Sequence, residues 1–499
     1  MSQDRRRYAP PRAGAMIEAL RGLGYSTATA LADIIDNSIA AGADDVQLLF
    51  FWSGEASHVR IVDNGRGMDE EGLERAMSLG ARSPLEARDP DDLGRFGLGL
   101  KTASFSQARR LTLASRHRGA IHALRWDLDR LEDDPEGGGW YMLEGCAPGS
   151  EHLLAPLEDL EHGTLVLWEN PDRIVTQGFT DQSLRDLLDV VEAHLGMVFH
   201  RYLGGARPRL RLSINGQAVS PWDPFLTSHP ATWSSPEAHL GAGRQITVQA
   251  HVLPHQDRLD ARTHQTAAGP DGWTSQQGFY VYRNERLLVA GGWLGLGSPR
   301  LWTRDESCRL ARIRIDLPNS LDGDWKIDVR KSTARPPANL RRQLTQLADE
   351  TRNRARRVFA HRGRIQRGPN APPLAEAWRV ERLKSGVHYR IDEDHPAVAA
   401  VLEQAGSMAA DIRAMLRIIE QTVPVQRIWL DTAEAKETPR TGFAGEPPAI
   451  VRETLRTVYR GLINRRGFSH ERAVEKLLST EPFNDYPELV KALVEDAQT

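Results

Sequence analysis

Three short segments near the start of this 499-residue chain constrain its fold more than anything else in it. They are A-D-I-I-D-N-S (Ala32–Ser38), V-D-N-G-R-G-M (Val62–Met68) and G-R-F-G-L-G-L-K-T (Gly94–Thr102). In the first, Leu31, Ile34, Ile35 and Ile39, with Ala30 and Ala32, recur at helical spacing and predict an amphipathic helix. Asp33 and Asn37 then project from one face of it. An amide oxygen suits magnesium, a hard cation that prefers oxygen donors. A carboxylate one turn earlier can hold a water for attack on a γ-phosphate. Taken alone, such a pair is more often a solvated helix exterior.

The second segment reads as a strand (Val59, Ile61, Val62) ending on Asp63, followed by a glycine turn containing Gly65 and Gly67. A carboxylate at that place can accept a hydrogen bond from an exocyclic amine such as adenine N6. By itself it is more often an ordinary Asp-Asn-Gly hairpin turn. The third segment sets Gly94, Gly97 and Gly99 ahead of Lys101 and Thr102. Glycines let backbone N–H groups approach phosphate oxygens, and a following helix start favours anions. It is not a P-loop, because Leu100 intervenes before the lysine. Nor is it a dinucleotide fingerprint, which should follow the first strand of a βαβ unit.

The order of the three segments resembles the GHKL ATPase superfamily of gyrase-type topoisomerases, ninety-kilodalton heat-shock chaperones, histidine kinases and MutL. Gly163-Thr164, in H-G-T-L-V-L-W, matches the glycine-threonine that completes the adenine pocket there. The resemblance implies an α/β chain whose N-terminal GHKL (Bergerat) α/β sandwich carries helices on one face of a mixed, largely antiparallel sheet. ATP and Mg2+ are the implied cofactors. Asp63, Gly65, Gly67, Met68 and Thr164 would surround the base. Gly94, Gly97, Gly99, Lys101 and Thr102 would cradle the phosphates. Asn37 would hold the metal, Asp33 would activate water, and the polar stretch Gly80–Asp92 would form a lid. A histidine kinase is disfavoured, since no phosphoacceptor helix precedes the site.

Within the superfamily the chain is most similar to bacterial MORC-like ATP-binding proteins, through D-N-S-I-A-A-G-A, S-L-G-A-R-S-P and G-R-F-G-L-G-L-K-T-A-S-F-S. Most relatives carry Glu where this chain has Asp33. The carboxylate is one methylene shorter, and a displacement of about 1 Å can cost ~10²-fold in rate. Slow hydrolysis is therefore expected. The resemblance further implies a homodimeric clamp closed by ATP, double-stranded DNA as a partner, and methylase or nuclease partner proteins in restriction or phage defence. A non-catalytic nucleotide-gated scaffold and a protein chaperone are the alternatives.

Between Pro208 and Pro336, short alternating runs such as L-R-L-S-I-N-G-Q, I-T-V-Q-A-H-V-L and R-I-R-I-D-L predict a β-rich α+β domain. Tyr280–Leu288 and Asp324–Ser332 resemble the transducer domain of MutL and MORC-like proteins. There a lysine reaches the γ-phosphate, a role that falls to Lys331 here, with Lys326 in reserve. The expected division is an arm at 1–12, the ATP-binding domain at 13–205, the transducer-like domain at 206–337, a basic helix at 338–367, a linker at 368–373 and a mainly helical domain at 374–499. The arginines of Ala338–Arg367 fit a solvated connector and a DNA-facing surface equally.

A net charge of −3 supplies no global basic field for nucleic acid. Two distant cysteines, Cys146 and Cys308, lack metal spacing and fit reduced thiols in a cytoplasmic protein. No apolar run approaches the roughly twenty residues of a membrane span, and the Arg-rich start lacks an apolar signal core.

Overall fold

The computed structural model describes residues 12–22, 24–80, 99–132, 140–241, 243–328, 331, 333–360, 375–383, 386–428, 449–464, 467–480 and 483–498. They fall into two compact units, Met1–Arg364 and Ile365–Thr499.

The first unit begins with α1 (Ala13–Arg21), α2 (Thr27–Ala40), β1 (Asp45–Phe51), β2 (His58–Asp63), α3 (Glu70–Met77) and α4 (Gly99–Phe105). Strands β3 (Arg110–His117) and β4 (Ala120–Asp127), helix α5 (Leu128–Glu132), β5 (Leu143–Glu144) and β6 (Gly163–Glu169) follow. Helices α6 (Asp181–Val198) and α7 (His200–Leu203) lead to β7 (Arg211–Ile214) and β8 (Gln217–Ala218). The strands form one eight-stranded sheet in the order β5-β4-β3-β6-β2-β1-β7-β8. Among the described residues its one parallel pairing is β1 with β7, so the sheet is mixed and largely antiparallel, as expected.

Alternation along β6 divides the two faces of the sheet. Val166 and Trp168 join the core beneath the helices, whereas Leu165 and Leu167 join a smaller cluster with Leu153 and Leu157 on the other face. Helix α2 starts at a capping box in which Ser26 accepts from Thr29 N and the Thr29 side chain accepts from Ser26 N. Such a cap stabilises a helix start by about 1 kcal/mol.

The second sheet contains β9 (Trp233–Ser234), β10 (Ala238–Leu240), β11 (Ile246–Val252), β12 (Gly278–Arg283), β13 (Arg286–Ala290) and β14 (Ala311–Leu317), with α8 (Ala261–Ala267) between β11 and β12. Two sequence expectations change here. The run L-R-L-S-I-N-G-Q reads as a strand of this second region, but β7 and β8 extend the first sheet, because β7 pairs with β1. The basic helix α9 (Ala338–Ala360) is not a solvated connector: Leu340, Leu344, Ala348 and Ala355 are part of the second core. Several of its arginines are engaged there. Arg352 lies 4.6 Å from the ring centre of Trp293 and 4.7 Å from that of Trp302. Arg354 lies 4.0 Å over Trp233, and Arg356 pairs with Asp305 at 3.3 Å.

The second unit opens with a hairpin of β15 (Trp378–Leu383) and β16 (Gly386–Ile391). Helices α10 (Pro396–Gln404), α11 (Ala409–Thr422), α12 (Ala449–Asn464), α13 (His470–Leu478) and α14 (Pro487–Gln498) make it mainly helical. Its core includes Leu455, Val458, Leu462, Leu477, Phe483 and Val490. Among the described residues, no helix is long and apolar enough to cross a membrane.

Candidate functional site

Helix α2 is buried nearly all round, and two of its buried residues are acids, Asp33 and Asp36. Buried carboxylates need partners. Asp33 Oδ2 accepts a hydrogen bond from the Tyr25 hydroxyl at 2.9 Å, and Oδ1 accepts from Lys331 Nζ at 2.9 Å. Lys331 Nζ also donates to Asp36 Oδ2. Arg286 completes the cluster, its Nε donating to Asp36 Oδ1 at 3.2 Å and its NH2 lying 3.8 Å from Asp33 Oδ1. Burial pushes the Asp36 carboxyl up, but Arg286 and then Lys331 outweigh it and hold the group below its ordinary range. Burial first, and then Asp33, raise the Tyr25 hydroxyl well above its ordinary value.

Both cations come from the second sheet and its flanking loop. Arg286 follows a tight turn in which Asn284 (φ 45°) and Glu285 (φ 66°) are left-handed. Two such residues in sequence match the twist of a β-hairpin. Arg335 N donates to Trp325 O at 2.7 Å, and Trp325 itself is buried. Lys331 is itself left-handed, at φ 54°. The reserve candidate, Lys326, is exposed.

Asn37 is exposed at the end of the same helix. Its Nδ2 donates to Asp33 O at 3.0 Å, which leaves the amide oxygen as its remaining ligand atom. The next residue ties α2 to the strand-end acid: Ser38 Oγ donates to Asp63 Oδ2 at 2.7 Å. Asp63 Oδ1 accepts from Gly65 N at 2.9 Å. Asp63 is buried, and burial raises its pKa despite those donors.

Glycines around Asp63 sit where a side chain has no room. A Cβ on Gly67, at φ +67°, would lie 2.0 Å from Arg116 O. One on Gly163 would lie 2.2 Å from Asp63 O, and one on Gly65 would lie 2.8 Å from the Ala41 Cβ. Met68 N donates to Ser115 Oγ at 2.8 Å, Ser115 Oγ donates to Gly163 O at 2.9 Å, and the Thr164 hydroxyl is 3.1 Å from Ser115 Oγ. Asp63, Gly65, Gly67, Met68 and Thr164 are thus brought together at one end of β2 and β6, with an acceptor carboxylate beside hydroxyls and close-packed backbone. That donor set and those glycine approaches fit a planar base bearing an amine.

Of the glycine-rich segment, Gly94 and Gly97 lie outside the described residues, as does the expected lid beyond Gly80. Gly99 opens α4 beside the acid cluster, and a Cβ built on it would be 3.8 Å from Asp33 Oδ2. Thr102 is buried on α4, with its hydroxyl 3.4 Å from Gly99 O. Lys101 is buried, and its Nζ donates to Ala76 O at 2.8 Å near the end of α3. Burial pulls its ammonium down to about 8.

Tyr25, Asp36, Ser38, Ser115 and Arg286 belong to this arrangement but were not assigned roles from sequence. Asp36 and Ser38 stand inside the D-N-S segment and Arg286 inside Y-V-Y-R-N-E-R-L-L, so a signal existed for those three. Ser115 carries none, since a serine on a strand is marked only by its pairing partner.

Residues 25–164 match the family described as histidine kinase-, DNA gyrase B- and HSP90-like ATPase. Among curated proteins, the ATPase morc-1 of Caenorhabditis elegans is 24% identical over 262 residues, covering 44% of this chain and 30% of that protein. The DNA mismatch repair protein MutL of Rhodospirillum rubrum is 36% identical over 102 residues, 20% of this chain and 16% of its own. The chaperone protein HtpG of Natranaerobius thermophilus is 30% identical over 109 residues, 20% of this chain and 17% of its own. The chain therefore spans less than a third of the length of each of these relatives.

Proposed function

We propose, from the GHKL-type ATPase domain carried by residues 25–164, that this chain binds Mg-ATP, hydrolyses it slowly and passes the state of the γ-phosphate to the second sheet through Lys331. The observation that carries the reading is the Lys331–Asp33 contact at 2.9 Å, which joins a loop of the second sheet to the acid that this reading makes the general base.

In this reading Asp63, held by the Ser38 hydroxyl, accepts the adenine amine, and Thr164, beside the Ser115 hydroxyl, completes the pocket. The Asn37 amide oxygen would hold magnesium, which supplies charge neutralisation at the phosphates. Asp33 orients a water and takes its proton as the new phosphorus–oxygen bond forms and the bond to ADP breaks. Lys101 and the glycine segment would face the phosphates once nucleotide is present. When Lys331 exchanges Asp33 for a γ-phosphate oxygen, Asp33 is released to act as base and the second sheet is drawn to the nucleotide.

The similarity to an ATPase and to mismatch repair proteins supports a MORC-like clamp, in which two copies close on ATP and act with DNA-processing partners such as a methylase or nuclease. Restriction or phage defence is the setting proposed for it. The test is ATP hydrolysis with magnesium, with and without long double-stranded DNA at modest salt. Turnover that rises with DNA supports the clamp. ATP binding without turnover supports a second reading, a nucleotide-gated scaffold, which the shortened Asp33 with both oxygens already engaged favours. Failure to bind ATP removes both readings.

A further inference from the structure

We propose that Arg286 and Asp36 form a resident ion pair that makes Lys331 exchangeable, so that Arg286 is a positioning residue for the nucleotide switch. This rests on the function proposed above and names how the same site is regulated.

The cluster holds two buried carboxylates and two buried cations. Each cation spans both acids. Lys331 Nζ donates to Asp33 and Asp36, and Arg286 contacts Asp36 at 3.2 Å and Asp33 at 3.8 Å. The two cations differ in what carries them. Arg286 stands on β13 one residue after a tight hairpin turn, and its NH1 is tied to Leu287 O at 2.8 Å. Its guanidinium is a planar fork suited to holding more than one acceptor at once. Lys331 is a compact point charge on a long unbranched stem, carried by a loop.

Departure of Lys331 without Arg286 would leave two bare acids in a buried site, an arrangement proteins avoid. With Arg286 in place, Asp36 stays paired. Asp33 keeps the Tyr25 hydroxyl at 2.9 Å and gains an open lone pair. Arg286 by itself also favours the ionised Asp36 carboxyl, so the charge survives the departure of Lys331. The charge that must stay and the charge that must move are thus assigned to different residues.

The experiment is a mutant cycle on the full chain, read first by thermal unfolding without nucleotide. Lys331→Met is expected to lower Tm by only about 2 °C, and Arg286→Met by about 8 °C or more. Lys331→Met in the Arg286→Met background should cost several times what it costs alone. Asp36→Asn should lower Tm in the wild type and raise it in the Arg286→Met background, because it restores one acid to one cation. Additive effects, or a Lys331→Met loss as large as that of Arg286→Met, would overturn the proposal whether or not the protein binds ATP.

The second reading is Mg-ATP-dependent self-association, followed by sedimentation, alongside ADP affinity. Arg286→Met should keep ADP affinity within about threefold and lose ATP-driven association, and Asp36→Asn/Arg286→Met should regain it. Failure of the double variant to regain association, while the wild type associates, would also overturn it. A wild type that binds no ATP would instead defeat the proposed function, and the thermal cycle alone would then decide the assignment of the two charges.

Discussion

Lys331 Nζ sits 2.9 Å from Asp33 Oδ1, a contact that spans 298 positions of sequence and joins the two sheets of the first unit. Asp33 therefore sits inside a cluster completed by residues that arrive much later in the chain.

Asp33→Asn should bind ATP within about threefold of wild type and lose hydrolysis by about 10²-fold or more, the usual contribution of a positioned base. Nucleotide titration and phosphate release on the same preparation check both halves. Unchanged turnover would mean that another group holds the water.

Asp63→Asn should weaken ATP about 10²-fold, because a hydrogen bond to an ionised acceptor is lost. The fold should survive, since an amide oxygen can still accept from Gly65 N or Ser38 Oγ. Calorimetric titration beside a thermal melt separates the two effects.

Gly67→Ala should destabilise the first unit by about 3 kcal/mol or more. The backbone is left-handed there, and the added carbon meets Arg116 O at 2.0 Å with no flexible side chain to give way. A denaturant titration reads this directly. Gly80→Ala provides the contrast, because among the described residues its Cβ would meet nothing within 4 Å, although its φ of +73° still carries strain.

Lys101 predicts a pH dependence of stability. Its folded-state value near 8 lies below the ordinary 10.5, so unfolding takes up a proton between those values. The Lys101 contribution is therefore least favourable below pH 8 and improves as pH rises toward 10.5. Lys101→Met should remove this rise of stability with pH between about 8 and 10.5, because methionine does not titrate. Urea melts of both proteins at several pH values check it.

Arg352→Ala should lower stability by about 2 kcal/mol without changing the salt dependence of any DNA binding, because the guanidinium lies within 4.7 Å of the ring centres of Trp293 and Trp302. Exposed Arg342, on the same helix, should behave in the opposite way: little change in melting, and a shallower salt slope if α9 meets DNA.

The local parts of this fold were legible because local chemistry determines them. Leu31, Ile34 and Ile35 marked α2, and Val59, Ile61 and Val62 marked β2, by periodicity alone. The glycine turn after β2 was legible because a close backbone approach permits few residue types, whereas a role for Asp63 came only with the family resemblance. What sequence could not supply was pairing at a distance. Arg211–Ile214 alternates like any strand, and only its partner β1 assigns it to the first sheet. The arginines of α9 looked solvated because the tryptophans that receive them are scattered from Trp233 to Trp302. Lys331 was placed through a family resemblance. Its partners Asp36 and Arg286 follow from charge balance, which becomes visible only once the burial of α2 is known.

The turn at Asn284 and Glu285 has a practical consequence. It delivers Arg286 to α2, so a fragment cut after β8 would retain Asp33 and Asp36 but lose both of their cations. Water and protons would have to stand in for Arg286 and Lys331. Nucleotide affinities measured on such a truncation would describe a differently charged molecule, and the smallest piece that preserves the native electrostatics runs through α9.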